Sequence, residues 1–356
     1  MRRWVIAVTA MLLMPWMVSL VWMRAAGMEA EAKMGAEAGA EGQAGGQEES
    51  IGGELEGEEG VEAAAGGEAG KTGNPGEKSQ EAGEGELARR KILVERKGVR
   101  TYIDLEEYLP GVMACQIDTD YEMEALKCQA VIARTYIYRL MDSRTEIYEE
   151  ELDLDYLGEA KGYFGADREK LFGGLKRCQE AAKATKGVVM QYEGRCILPL
   201  FHGMSGGRTR NGESDFPYLQ SVESVSDTRH EDYMQILEWS RSVFAANISQ
   251  IPGAAAVTAE QLPAQIQTVK KDDAGYMVEV KIGEGIYSGD EIQYALGLPS
   301  PCFSLEGDSE TIRARVRGRG HGYGLSQAGA NDMAKSGWGY EDILNHYYKN
   351  ISLIPE

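Results

Sequence analysis

Residues Tyr108–Tyr136 read YLPGVMACQIDTDYEMEALKCQAVIARTY, and the fold is decided by how this stretch is read. From Met123 the apolar residues fall at Met123, Leu126, Ala130, Ala133, Ile137 and Leu140. Spacings that alternate between three and four put them on one face of an α-helix. Thr119 and Glu122 form a Thr-x-x-Glu capping box, which predicts a helix start just after Ile117-Asp118. Gln116 then lies in a short polar loop immediately before a helix N-terminus, where free N–H groups and the positive end of the dipole favour polar or anionic groups. An ordinary core helix preceded by a surface amide would produce the same pattern.

Outward toward the N-terminus, Lys91–Arg96 and Val99–Ile103 alternate in strand fashion around Lys97-Gly98, predicting a β-hairpin, and Asp104–Tyr108 reads as a short capped helix. Before that, residues 28–89 are built from Gly, Ala and Glu, with sixteen Glu against three Lys over 28–88. Such a segment has too little apolar surface to offset the entropy of ordering, so a disordered, self-repelling linker is expected. Residues 1–27 begin with Arg2-Arg3 and continue from Trp4 to Met23 without a formal charge, about the length that crosses a bilayer. An uncleaved single-pass anchor with its Arg end cytoplasmic is preferred over a cleaved signal, which normally has a shorter apolar core. Either way the remainder is expected outside the cytoplasm. The net charge of −20 argues against a general nucleic-acid binder.

Outward toward the C-terminus, Thr145–Gly165 is acidic and Tyr-rich and reads as an exposed, irregular excursion. Glu169–Thr185 reads as a helix, Gly187–Tyr192 with Cys196–His202 as a second hairpin, His230–Asn247 as helical, and Ile266–Ile282 as strands turning at Lys271–Gly275. Phe201-His202-Gly203-Met204-Ser205-Gly206-Gly207-Arg208-Thr209 is a strand exit whose small residues let backbone approach a ligand. A Ser205–His202 nucleophile pair lacks the G-x-S-x-G elbow and is disfavoured. Arg317-Gly318-Arg319-Gly320-His321-Gly322-Tyr323-Gly324-Leu325-Ser326-Gln327 alternates glycine with His321, Tyr323 and, farther on, Gln327. It matches neither nucleotide fingerprint, because the G-x-G-x-x-G and Gly-Lys-Ser/Thr contexts are missing. Ala328–Ser336 should be helical. The five cysteines are an odd number without a C-x-x-C pair. Some could pair outside the cytoplasm, whereas Cys128 falls within the patterned helix as a small apolar residue. Zinc held by His202, His321 and a cysteine is unsupported by spacing, and no cofactor is indicated.

These motifs resemble the SpoIID/LytB family. Tyr108-Leu109, Gly111-Val112, Ala114, Ala125-Leu126-Lys127, Gln129-Ala130-Val131 and Ala133-Arg134-Thr135-Tyr136 stand in the family's YL-x-GV-x-A-x-E-M-P and ALKAQAVAARTY positions. The 201–209 segment, Tyr218-Leu219 with Ser221-Val222, the glycine-alternating segment and Ile343-Leu344 with Tyr347-Tyr348 resemble further family segments. The likeness runs from about Lys91 to Leu353 and departs at one decisive point. The family's catalytic Glu falls on Gln116, and its Pro falls on Asp118.

What the resemblance implies is one α+β domain over residues 90–356, of mixed helices and antiparallel hairpins. It further implies lytic transglycosylase action on peptidoglycan glycan strands, particularly strands stripped of stem peptides, during sporulation. Arg134, His202, Ser205, Tyr218, His321 and Gln327 would bind substrate, and an N-acetylmuramoyl-L-alanine amidase or other engulfment proteins would be partners. A transglycosylase needs a carboxylic acid to protonate the glycosidic oxygen, and a Gln cannot transfer that proton near neutral pH. Three readings stay open: the acid has moved to Asp118, Asp120 or another carboxylate; the groove binds glycan without cutting; or the protein enhances a separate amidase. In an extended loop Asp118 would face the same side as Gln116, which makes it the candidate replacement acid.

Overall fold

The computed structural model describes residues 90–157, 168–212, 214 and 216–355. The predicted membrane anchor at 1–27, the linker at 28–89 and the end of the predicted excursion at 158–165 lie outside the described residues. Among the described residues no helix is long and apolar enough to cross a membrane.

The chain opens with the predicted hairpin, β1 (Lys91–Arg96) paired antiparallel with β2 (Val99–Asp104). Asp104 then caps helix α1, its carboxylate accepting from the Glu106 N–H. Here the structure departs from the sequence reading, because α1 runs from Leu105 to Gln116 without a loop at 108–116. Pro110-Gly111 looks like a break, but Tyr108 to Met113 are all buried, and their packing outweighs local propensity. Gly111 is required there: a Cβ would lie 2.2 Å from the Tyr156 ring, which stacks on Tyr108 at 4.4 Å between centroids.

Helix α2 (Met123–Met141) follows. Its predicted stripe packs on α1 and β1, with Leu126, Ala130, Ala133 and Ile137 fully or nearly buried. The opposite face is buried too, since Ala125, Cys128, Val131 and Ile132 belong to a second core with Met190, Leu344 and Tyr347. An all-round buried helix is the centre of a domain. The Thr119/Glu122 box is not formed. Glu122 occupies the N-cap without a side-chain bond, and its own N–H donates to Asn331 Oδ1 at 2.8 Å.

The region read as an irregular excursion contains β3 (Glu146–Tyr148), which runs parallel to β1, and the short helix α3 (Glu149–Leu152), whose Leu152 is buried. Helix α4 (Arg168–Ala184) packs against α1 and α2. Strands β4 (Val188–Tyr192) and β5 (Arg195–Cys196) form the second hairpin, but it is shorter than expected. β6 (Phe201–His202) leaves it to pair elsewhere. His230–Asn247 is not one helix. It holds β7 (Met234–Ser240) and then α5 (Arg241–Ile248), because β7 finds a partner strand in Thr311–Arg317, a segment distant in sequence. Strands β8 (Ile266–Lys271), β9 (Met277–Ile282) and β10 (Gly285–Ser288) form an antiparallel sheet, followed by α6 (Gly289–Leu296). β11 (Phe303–Gly307) and β12 (Thr311–Arg317) complete the sheet of β7 around a third core of Phe244, Ile282, Phe303 and Ile312. β13 (Leu325–Ser326) lies parallel to β6 and leads into α7 (Gln327–Lys335), α8 (Tyr340–Tyr347) and β14 (Ser352–Pro355), which closes on β4. The architecture is α+β, with mostly antiparallel sheets. All five cysteines are free thiols.

Arg134, expected at the substrate site, is a structural residue. Its side chain is wholly buried in α2. Nε and Nη2 donate to the two carboxylate oxygens of Glu106 in α1, each at 2.7 Å. Nη2 also reaches the Ala182 carbonyl of α4 at 3.1 Å, and Nη1 reaches the Val188 carbonyl of β4 at 3.1 Å. Four elements therefore converge on one guanidinium. Arg134→Ala leaves Glu106 and two inward carbonyls without their donors and should cost about 3–5 kcal/mol. Arg134→Lys should recover little of that loss, since an ammonium cannot reproduce the planar fork. Urea denaturation of the two variants beside the native chain measures both.

Candidate functional site

Gln116 is the last residue of α1, and Ile117 turns extended while its N–H donates back to the Met113 carbonyl. The site residue thus sits at a helix C-terminus, where the sequence reading placed it before an N-terminus. The electrostatic sign reverses with that correction. The negative end of a helix dipole disfavours a carboxylate and favours its protonated form. A Glu at this position would be biased toward the acid that glycosidic protonation needs, whereas Gln116 is neutral at any pH.

The half-buried Gln116 side chain belongs to a cluster of three amides. Gln129 Nε2 donates to Gln116 Oε1 at 2.8 Å. Gln327 Nε2 donates to the Gln116 carbonyl at 2.8 Å and to Gln129 Oε1 at 3.1 Å. Gln129 was not among the candidate site residues; its signals are its place in the family-like Gln129-Ala130-Val131 segment and a large amide buried within the core helix. Among the described residues Gln116 Nε2 has no partner, so its two N–H donors are unsatisfied within the domain.

Asp118 does not join this cluster. It is exposed, and its Oδ1 accepts the Asp120 N–H at 3.0 Å in a turn whose carbonyl accepts from Tyr121. The argument that Asp118 shares a side with Gln116 required an extended loop, and Gln116 is helical. Tyr218 is a core residue, 6% exposed, with its hydroxyl accepting the Leu198 N–H at 3.0 Å. Ser205 is fully buried, and both its N–H and its hydroxyl donate to Asp227 Oδ2, at 2.8 and 2.6 Å. The same oxygen accepts from Ser326, the N-cap of α7. Ser205 therefore ties two loops together and makes no nucleophile pair with His202. Asp227, which the sequence does not signal, is the buried hub, and burial pushes its carboxyl upward.

His202 and His321 do meet, with ring centroids 5.8 Å apart. His202 Nδ1 lies 3.0 Å from the Tyr323 carbonyl and must carry the proton, leaving Nε2 as a buried acceptor without a partner among the described residues. His321 Nδ1 accepts the Tyr323 N–H at 3.0 Å. The glycine alternation makes this approach feasible. At Gly324, with φ +68°, a Cβ would lie 1.8 Å from the Leu200 carbonyl oxygen. The β6–β13 pairing sets His202 opposite Ser326, one residue before Gln327 of the amide cluster. Among the described residues no group of three or more His, Cys, Asp or Glu is placed to hold a metal ion.

Comparison with known proteins assigns this arrangement to a class. Residues 95–192 match the family model SpoIID, described as stage II sporulation protein. The chain is 30% identical over 267 residues to stage II sporulation protein D of Bacillus subtilis (strain 168), covering 70% of this chain and 74% of the relative. It is 31% identical over 272 residues to stage II sporulation protein D of Bacillus amyloliquefaciens, with the same 70% and 74% coverage. This chain belongs to the SpoIID family.

Burial lowers the pKa of His202 to about 4 and that of His321 to about 3, the latter helped by the neighbouring ring and by Arg210. Both folded-state values lie below the ordinary one of about 6.5, so the pair stabilises the fold fully above that pH. That stabilisation is lost as pH falls through 4 and then 3. Near pH 5 each ring should add about one proton on unfolding, worth about 1.4 kcal/mol per pH unit. Denaturation between pH 7 and 4.5 should show a slope shallower by about one proton in His321→Asn than in the native chain.

Proposed function

We propose that this protein is an extracytoplasmic, membrane-anchored member of the family that binds peptidoglycan glycan strands during sporulation and does not cleave them by general-acid catalysis. The observation that carries the reading is the amide cluster. The position that would supply the acid holds Gln116, gripped by Gln129 and Gln327, with both N–H donors of Nε2 free to meet a glycosidic oxygen or an acetamido carbonyl. An amide at this point can hold a sugar but cannot protonate its leaving group. The exposed Asp118 is engaged in its own turn and offers no replacement within the cluster. Sporulation enters through the name of the Bacillus relatives, stage II sporulation protein D. Anchoring rests on the uncharged run from Trp4 to Met23.

The cluster also makes the change reversible. A carboxylate oxygen at Gln116 Oε1 would still accept from Gln129, so Gln116→Glu should fit without rearrangement. The full chain is incubated with stem-peptide-free glycan strands, and anhydromuramyl ends are assayed by mass spectrometry. Native protein should sediment with the strands and yield no product. Gln116→Glu should yield product at a rate above native by about 10²–10⁴. Product from native protein that disappears in Asp118→Asn would place the acid at Asp118 and overturn the proposal.

A further inference from the structure

At the far end of α7 from Gln327, a surface depression is lined by Arg229, His230, Asp332, Lys335 and Trp338, with Ser226 and Ser336 at its edge. A second depression, lined by Asp342, Asn345 and His346, shares the same indole. Trp338 is 41% exposed, which is unusual for a residue of its size beside a charged hollow. It is nonetheless held in place. Gly337, with φ +90°, turns the chain, and the Trp338 N–H donates to the Met333 carbonyl at 3.1 Å. The His346 ring meets the indole edge-on at 6.0 Å and is itself held by the Glu223 carbonyl at 3.0 Å. A fixed aromatic face shared by two polar hollows is what a pyranose ring stacks on.

The charges beside the indole narrow the ligand. Asp332 is already matched, with His230 Nε2 at 3.0 Å and Lys335 Nζ at 3.7 Å. Arg229 is exposed and has no hydrogen-bond or ion-pair partner among the described residues. On a chain with net charge −20, an unpaired guanidinium beside a lysine is a local reversal of sign. A guanidinium is suited to a carboxylate, which it can hold in a bidentate fork.

We infer that Trp338 and Arg229 form a second sugar subsite, selective for a carboxylate-bearing amino sugar such as the muramic acid of a peptide-stripped strand. The inference rests on the glycan-binding reading and extends it along the molecule. One end of α7 carries Gln327 in the amide cluster. The other end, about 12 Å away at 1.5 Å per residue, carries Lys335 and leads to Trp338. A strand lying along this helix would place one sugar at Gln116 and a later one on the indole, its lactyl carboxylate toward Arg229.

The test measures binding of the full chain to stem-peptide-free strands, to the same strands with their carboxylates blocked as methylamides, and to strands still carrying stem peptides. Trp338→Ala should weaken binding to the free strands about tenfold, with Trp338→Phe restoring most of it. Arg229→Gln should weaken binding to the free strands several-fold and leave the blocked strands unaffected. Both side chains are exposed, so thermal melts of the variants should match the native protein. The inference falls if Trp338→Ala and Arg229→Gln bind as the native chain does while Gln327→Ala does not, and the glycan-binding reading then stands. It falls equally if Arg229→Gln weakens free and blocked strands alike, or if the Arg229 effect appears only with peptide-bearing strands. If the native chain binds none of the strands, both readings fall together.

Discussion

One guanidinium holds the architecture together. Arg134 lies at the centre of α2 and donates to a carboxylate of α1, a carbonyl of α4 and a carbonyl of β4. A buried cation is costly unless every donor is matched, and the matching constrains the position of all four elements at once. The orientation of α1 follows from it, and with that orientation the position of Gln116 at the helix end. The site is thus positioned by a residue that does not belong to it.

The site itself is built on the same economy of matched polar groups. Asp227 gathers the Ser205 loop and the cap of α7 onto one oxygen, and α7 then delivers Gln327 to the amides of Gln116 and Gln129. Each link is a short hydrogen bond inside the protein, where competing water is excluded and geometry is well defined. The histidine pair is neutral and buried. The amides leave a small polar surface at Gln116, which is what the proposed reading requires for hydroxyl and acetamido groups.

Much of this was legible in the sequence where local periodicity coincides with burial. The stripe from Met123 to Leu140, the β1–β2 hairpin and the helix after the glycine-alternating segment all follow from spacing and turn chemistry. The misread elements are those whose conformation is set by distant partners. α1 persists through Pro110-Gly111 because Tyr156 and the main core pack on it, and β7 is a strand because β12 pairs with it. The candidate residues divide the same way. Gln116 meets Gln327 and His202 meets His321, whereas Arg134, Ser205 and Tyr218 are buried in the framework. A sequence motif records that a residue type is needed, and it does not distinguish a group that touches ligand from one that holds the framework.

The parallel pairing of β6 with β13 joins His202 to Ser326, segments 124 positions apart. Closing so long an intervening chain is entropically unfavourable until both ends have cores to settle on. The first core packed on α2 draws on residues 92–182, but the amide cluster needs Gln327, in the last tenth of the sequence. A chain ending before Leu325 would carry Gln116 and Gln129 but lack the Gln327 amide that binds both. The amide cluster therefore ties together parts of the domain that are made far apart in time: it closes only when Gln327 has joined Gln116 and Gln129.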